Sequence, residues 1–129
     1  MYEGRCLCGA VAFTVAADLK DPIACHCSQC RCQSGHVFSA AAAPKSALRF
    51  SRDEGLRWYR HSDIATRGFC ETCGSTLFWR ADEGADVMVA MGALDDTRDL
   101  RLSGHFQVDF KGDYYRVADG LPQHRGEGG

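Results

Sequence analysis

The sequence predicts an all-β fold, and three observations support that prediction. Apolar side chains alternate with polar ones over many short segments, which is the pattern of strands with one buried face. Glycine, aspartate and proline residues that favour turns separate these segments. No stretch sustains the 3.6-residue period of an amphipathic helix. Many short strands joined by turns are typical of all-β folds.

Length and composition indicate one globular domain. The chain has 129 residues, of which 45% are hydrophobic and 25% charged, and its net charge is −2. We expect a single domain over residues 1–124 and a disordered tail over residues 125–129. The charge balance offers no attraction to nucleic acid or to an anionic membrane. No apolar run approaches the ~20 residues of a membrane span and residues 1–5 do not form a signal peptide, so we expect a cytoplasmic protein.

The first third of the chain shows strand patterns on both sides of a cysteine-rich segment. Within residues 9–16 the apolar side chains share one face, and residues 18–22 predict the turn that follows. The cysteine-rich segment leaves room for at most a short helical turn, which Gly35 would end. Residues 36–44 predict a strand despite their four alanines, because so short an alanine run cannot nucleate a helix alone.

Further strand patterns follow. Residues 48–50 and 56–60 alternate on either side of a polar turn and predict a hairpin. Residues 76–80 and 87–91 predict two more strands, and the longest alternating signal covers residues 100–110. The sequence therefore predicts a core that is made almost entirely of strands.

All eight cysteines fall into three closely spaced units, which are Cys6/Cys8, Cys25/Cys27/Cys30/Cys32 and Cys70/Cys73. Ligands two or three residues apart can direct their sulfurs at one ion, so this spacing predicts a zinc protein. A secreted scaffold with four disulfides is the alternative use of eight cysteines. Alternate residues on a strand point the same way instead of facing each other, however, and no signal peptide is present. The pattern therefore favours reduced thiols that bind metal.

Eight thiols can serve two zinc ions, because zinc prefers four tetrahedral ligands. Neither Cys6/Cys8 nor Cys70/Cys73 can close a site alone, so we expect these two units to share one structural site. Two arrangements remain for the central unit. Either all four of its thiols bind a second zinc in a closed site, or only three bind and leave a position for water or substrate.

The cysteine units lie in motifs that resemble those of the glutathione-dependent formaldehyde-activating enzyme family, which includes the centromere protein V type. These motifs are GRCLCG at residues 4–9, CHCSQCR at 25–31 and GFCETCGS at 68–75, followed by GALDD at 92–96 and DGLP at 119–122. The resemblance implies a β-tent fold of short antiparallel sheets with two zinc sites.

The resemblance also implies roles for the cysteines. Cys6, Cys8, Cys70 and Cys73 match the structural ligands, and Cys25, Cys27 and Cys30 match the catalytic ones. Cys32 departs from the family pattern and is a candidate fourth ligand of the second zinc.

The family reaction joins glutathione and formaldehyde to give S-(hydroxymethyl)glutathione and is classed with the carbon–sulfur lyases. The resemblance therefore implies a zinc-dependent enzyme that handles a thiol–aldehyde adduct, with glutathione as co-substrate. The alternative is a non-enzymatic, zinc-stabilised binding module whose second four-cysteine site is closed.

Three further residues stand next to the cysteine motifs. Arg31 and Arg67 are candidate contacts for the carboxylates of glutathione, although a solvated surface charge is the more ordinary use of an arginine. His26 lies between two ligands, where an extended backbone would turn its ring away from the metal. We therefore expect His26 to be a structural or surface histidine.

Overall fold

A computed structural model describes residues 1–126 of the chain, which consist mainly of strands. Within these residues the strands are β1 (Tyr2–Arg5), β2 (Ala12–Val15), β3 (Lys20–Cys25), β4 (Phe38–Pro44), β5 (Leu48–Arg52), β6 (Leu56–Arg60), β7 (Ala65–Cys70), β8 (Thr76–Ala81), β9 (Asp86–Ala90) and β10 (Gly104–Phe106). A single α-helix, α1 (Ser28–Ser34), and three 3₁₀ helices (Lys45–Ala47, Met91–Ala93 and Val108–Phe110) complete the elements. The all-β prediction is confirmed.

The disordered tail was expected over residues 125–129, and the last three of these lie outside the described residues. Arg125 is bonded to the body of the protein. Its Nε donates to Asp109 Oδ1 at 3.2 Å, and its carbonyl accepts from the backbone N–H of Asp109 at 2.8 Å.

The strands form two sheets. A three-stranded sheet has the order β1-β2-β5, and a seven-stranded sheet has the order β10-β3-β4-β9-β8-β7-β6. Neighbouring strands are antiparallel except for β10, which pairs in parallel with β3 and places His105 opposite Ala24. The expected antiparallel sheets are therefore present, and the larger one is mixed because of its edge strand.

The larger sheet is covered on both faces, which explains the alanine-rich strand β4. Ala41 and Ala43 belong to a core cluster that includes Phe13 of the smaller sheet. Ala40 belongs instead to a second cluster with Phe38 and Cys30. A strand that is buried on both faces loses the apolar–polar alternation of a half-exposed strand. The strand predicted over residues 36–44 is confirmed, with its start at Phe38.

Aromatic side chains join the two sheets. The rings of Phe13 on β2 and Phe78 on β8 meet edge to face with centroids 5.0 Å apart, and Phe50 on β5 meets Phe78 at 5.7 Å. Each such pair contributes about 0.5–1.5 kcal/mol beyond the burial of its area. This contact fixes the smaller sheet on one face of the larger sheet and leaves the other face for the second cysteine unit.

Helix α1 contains part of the cysteine-rich segment and is capped at both ends. Cys27 precedes it, and its Sγ accepts a hydrogen bond from the backbone N–H of Cys30 at 3.3 Å. Gly35 ends it in the left-handed conformation (φ 87°), and its N–H donates to the carbonyl of Arg31 at 2.9 Å. The helix has seven residues, about two turns, and is thus longer than the short helical turn that was predicted, whereas its predicted stop at Gly35 is confirmed. Within the described residues, no helix is both long and apolar enough to cross a membrane.

The predicted hairpin of residues 48–50 and 56–60 is wrong. Strand β5 pairs with β2 in the smaller sheet, whereas β6 pairs with β7 in the larger one. The chain passes between the sheets at Gly55, where an added Cβ would lie 2.8 Å from Cys70 Sγ. Alternation gave each segment a buried face, but it did not specify which sheet would cover that face.

Two other predicted boundaries also differ from the structure. Of the alternating residues 100–110, only Gly104–Phe106 form a strand. At Gln107 (φ 59°) the chain turns away from its partner strand β3 and enters a 3₁₀ helix, which ends the pairing. The turn expected over residues 18–22 is shorter than predicted. Strand β3 begins at Lys20 and accommodates Asp21 (φ 49°) through an irregularity in its pairing with β4.

Candidate functional site

Four thiols from the first and third cysteine units meet in one group. Cys6 and Cys8 lie in the loop after β1, Cys70 ends β7, and Cys73 lies in the turn that follows. Their Sγ atoms all lie within 4.8 Å of one another. The Sγ of Cys8 is 3.7 Å from that of Cys6 and 3.8 Å from that of Cys70. The structure thus brings together the two units that were expected to share a site.

These distances fit a tetrahedral thiolate site. A Zn–S bond of ~2.3 Å gives a sulfur–sulfur edge of about 3.8 Å, since the edge of a tetrahedron is roughly 1.63 times that bond. A disulfide would require about 2.05 Å, and all eight cysteines are free thiols. The hydroxyl of Ser75 lies 3.2 Å from Cys73 Sγ and lowers the pKa of Cys73 to about 5. That shift favours the thiolate form that binds a metal.

Three thiols of the central unit form a second group. Cys25 ends β3, Cys27 caps α1 and Cys30 lies in the first turn of α1, and their Sγ atoms lie within 4.8 Å of one another. Cys32 is exposed and does not belong to this group. Two residues along an α-helix correspond to a rotation of roughly 200°, so Cys32 faces the opposite side of α1 from Cys30.

The three thiols of this second group influence one another strongly. Hydrogen bonds from Cys25 and then Cys30 lower the pKa of Cys27 to about 2, although burial opposes this shift. The same interactions with Cys27 and Cys30, together with burial, raise the pKa of Cys25. Three thiolates so close together repel one another unless a cation lies between them. The donor set therefore fits a divalent metal that prefers sulfur ligands.

Arg67 of β7 lies beside these three thiols and is only 4% exposed. Its Nη2 lies 3.5 Å from Cys30 Sγ, and its Nη1 donates to Gln33 Oε1 at 3.2 Å. A buried cation requires a negative partner, because it has lost the hydration that stabilises it in water. Three thiolates and a divalent ion would carry a net charge of −1, which the guanidinium of Arg67 would balance. Arg67 is therefore not the solvated surface charge that the sequence favoured.

The second thiol group opens into a cavity of about 490 Å³. Its walls include the three thiols, Arg67 and the apolar side chains of Ile23, Phe38, Ile64, Trp79, Met88 and Phe106. Arg31 is not among the lining residues. It is exposed, and its Nε donates to the carbonyl of Phe110 at 2.8 Å.

His61 also lines this cavity, and it is a neutral imidazole. Its Nε2 accepts a hydrogen bond at 3.0 Å from Nε1 of Trp79, and an indole nitrogen can only donate. The proton of His61 is therefore on Nδ1. Burial, and then the nearby charge of Arg67, lower the pKa of His61. Among the described residues that line the cavity, Arg67 is thus the one full positive charge.

Comparison with known proteins identifies the family. The model of the family "Glutathione-dependent formaldehyde-activating enzyme" matches residues 1–109, which include both groups of thiols. The chain belongs to this family. The resemblance that was based on the cysteine motifs is confirmed.

Two relatives of this family member show how far the similarity extends. An uncharacterized lyase of Schizosaccharomyces pombe is 27% identical over 119 residues, covering 92% of this chain and 86% of the relative. The crystal structure of a Rhodobacter sphaeroides protein is 33% identical, with a TM-score of 0.59, and the match covers 78% of this chain and 96% of that one. The fold is therefore one that has been observed experimentally in a related sequence.

This family member also contains a partly buried row of hydrogen bonds that begins at His26, between Cys25 and Cys27 of the second thiol group. His26 is 2% exposed; its Nδ1 bonds to the hydroxyl of Tyr115 and its Nε2 lies 2.9 Å from Nδ1 of His105. Nε2 of His105 lies 2.8 Å from Oδ2 of Asp119, which is a carboxylate because the hydrogen bond from His105 lowers its pKa. The row is satisfied when His105 donates to Asp119, His26 donates to His105 and Tyr115 donates to His26.

The row attaches the loop of Cys25 and Cys27 to the end of the chain. The expectation that His26 is structural agrees with these contacts. Tyr115 and Asp119 carried no periodic signal that could have linked them to His26, because they follow the last strand. The DGLP motif at residues 119–122 was the one sequence feature that marked this segment.

Proposed function

We propose that the protein is a zinc-dependent carbon–sulfur lyase of the S-(hydroxymethyl)glutathione synthase type. One zinc ion would be structural and would be held by Cys6, Cys8, Cys70 and Cys73. The second would be catalytic and would be held by Cys25, Cys27 and Cys30. The observation that carries the proposal is a group of three adjacent thiols at the wall of a cavity in a member of this family.

The reaction would form or break one carbon–sulfur bond. A thiol loses its proton, its sulfur attacks the carbonyl carbon of an aldehyde, and the carbonyl oxygen gains a proton. No atom is oxidised or reduced. A zinc ion with three thiolate ligands retains a position for another ligand and lowers the pKa of a thiol that binds there.

The protein itself would contribute position and electrostatics. The three thiolates would fix the metal at the cavity wall, and Arg67 would balance the charge of the group. The apolar walls would reduce the water around the reacting atoms and hold the two reactants together, which is a large part of the catalysis that such a reaction needs. The lyase name of the Schizosaccharomyces pombe relative supports the same class of chemistry.

A closed four-cysteine site in a non-enzymatic binding module has less support. That alternative requires Cys32 as a fourth ligand, and Cys32 is exposed on the far side of α1. Cytoplasmic localisation belongs to the proposal as well and fits the use of reduced thiols.

A pair of matched variants tests the proposal. The wild type should bind two zinc ions per chain and accelerate the exchange between glutathione, formaldehyde and S-(hydroxymethyl)glutathione, followed by NMR. Cys30→Ser should lose one zinc and this activity. Cys32→Ser should keep both. Loss of the second zinc in Cys32→Ser would contradict the open site, and a fully metal-loaded wild type without activity would contradict the proposed reaction.

A further inference from the structure

Apolar side chains form a large part of the wall of the cavity beside the second thiol group, and its polar part consists of Ser28, Gln29, His61, Ser62, Arg67 and Gln107. Phe38, Trp79 and Met88 line it from strands of the larger sheet, and Ile64 and Phe106 line it as well. Ile64 is 68% exposed and Phe106 is 38% exposed. Large apolar side chains this exposed are favourable when an apolar ligand covers them.

The cavity offers fewer positive charges than glutathione has carboxylates. Glutathione carries two carboxylates and one ammonium group at neutral pH. The one full positive charge among the described lining residues is Arg67, which already contacts Cys30 Sγ and Gln33. Arg31 lies outside the cavity and bonds to the backbone of Phe110. A second carboxylate would have only neutral donors, such as the Nδ1–H of His61, as partners among the described lining residues.

Formaldehyde itself would fill only a small part of the cavity. A molecule with two heavy atoms occupies roughly the volume of one or two waters, ~30–60 Å³. The cavity has a volume of about 490 Å³. Formaldehyde next to the thiols would therefore leave most of the apolar wall without a contact.

We propose that this cavity holds an adduct whose carbon–sulfur bond is flanked by an apolar group, such as an alkyl chain or an aromatic ring. This inference rests on the proposed function and names its substrate class. The balanced reaction is R–CHO + R′–SH ⇌ R–CH(OH)–S–R′, in which the carbon–sulfur bond forms and the thiol proton ends on the oxygen. The apolar group enters with the aldehyde as R or with the thiol as R′.

The first experiment measures binding and turnover separately on the zinc-loaded wild type. Calorimetry compares benzyl mercaptan with glutathione, and we expect benzyl mercaptan to bind roughly tenfold more tightly or better, as for other differences in pocket filling. NMR then compares three reactant pairs: glutathione with formaldehyde, glutathione with phenylacetaldehyde, and benzyl mercaptan with formaldehyde. At least one of the pairs with an apolar group should have a kcat/KM roughly tenfold above the first pair. The pair that does so identifies whether the apolar group belongs to the aldehyde or to the thiol.

Two methionines provide a matched pair of variants. Met88 lines the cavity, whereas Met91 is also half-buried but packs against the other core cluster. Glutamine has nearly the volume of methionine but is polar. Met88→Gln should therefore reduce the preference for the apolar reactant by several-fold, and Met91→Gln should leave it unchanged.

The outcomes separate this inference from the proposed function. Tight binding of benzyl mercaptan that Met88→Gln weakens, without turnover of any pair, would support the apolar ligand and refute the lyase. Turnover of glutathione with formaldehyde that equals or exceeds the other pairs, with glutathione bound as tightly as benzyl mercaptan, would refute the apolar ligand and support the lyase. The comparison of ligands on the wild type decides the question even if a variant fails to fold.

Discussion

Replacing Arg67 by methionine should weaken metal binding at the three-thiol group and leave the four-thiol group unaffected. Methionine has a similar length and removes the charge without adding an unpaired polar group to the site. Because Nη2 of Arg67 lies 3.5 Å from Cys30 Sγ, its loss leaves a net negative charge beside the buried sulfurs. The metal affinity depends on the stability of those thiolates, so it should fall.

The size of the effect follows from the geometry. Two unit charges 3.5 Å apart attract by about 5 kcal/mol at an effective dielectric constant of ~20. Desolvation of the guanidinium cancels part of this, and a hydrogen bond to a charged group has a net value of about 1.5–3 kcal/mol. Since each 1.4 kcal/mol is a factor of ten, the metal should bind roughly 10- to 150-fold more weakly. Arg67→Lys retains the charge without the planar fork and should show a smaller loss.

A chelator titration measures this effect site by site. Cobalt(II) replaces zinc, and its thiolate charge-transfer bands report on the loss of metal from each group. The four-thiol group is an internal control, and Arg80→Met is a matched external one, because Arg80 stacks on Trp58 with its guanidinium carbon 3.7 Å from the ring centre. An affinity of the Arg67→Met protein within twofold of the wild type at both groups would refute the electrostatic role of Arg67.

Three further predictions concern the frame around the sites. Cys8→Ser should reduce the zinc content from two ions to one and lower the Tm by roughly 10 °C or more. The reason is that the four-thiol group joins the N-terminal loop to β7. An unchanged Tm would show that this metal does not stabilise the fold. Gly55→Ala should lower the free energy of unfolding by about 1–3 kcal/mol, since its Cβ would lie 2.8 Å from Cys70 Sγ. A denaturant titration measures this, and Gly92→Ala is the control because its Cβ would have nothing within 4 Å. Asp119→Asn should lower the Tm at pH 7, and this difference should persist down to about pH 4 and shrink below it, because the pKa of Asp119 is below its ordinary value and its contribution is lost only as the pH falls through that lowered pKa. Thermal unfolding at several pH values checks this, and a difference that does not change with pH would contradict it.

Local chemistry explains which parts of the fold were predictable. The short strands, the helical turn of the cysteine segment and the stop at Gly35 all depend on neighbours in the sequence. The hairpin of residues 48–50 and 56–60 was wrong because both segments have a buried face, and only the close approach at Gly55 shows that different sheets cover them. A glycine between two alternating segments also fits an ordinary turn, so this signal was ambiguous.

Some features of the two thiol groups were likewise predictable from the sequence, and others were not. Spacing placed the cysteines in three units, and the preference of zinc for four ligands then paired the first unit with the third. The burial of Arg67 was not predictable, because its strand β7 is covered on both faces and carries no alternation around it. The exposed position of Cys32 depends on where α1 begins. The helix starts at Ser28, directly after its cap Cys27, and this start determines the direction in which each later side chain points. Tyr115 and Asp119 lie far from His26 in sequence, and their approach requires the complete tertiary fold.

The row from Asp119 to His26 has a consequence for the order in which the protein is assembled during translation. His26 and Tyr115 are separated by 89 positions, and β10, which pairs beside the same loop, begins only at Gly104. When Cys25, Cys27 and Cys30 leave the ribosome, none of these partners has yet been synthesised. Contacts this distant in sequence form late and make folding slow, so the three thiols spend that interval unprotected from oxidation or from the wrong metal. Delivery of the correct ion to a nascent chain would therefore be more demanding at this group than its finished geometry suggests.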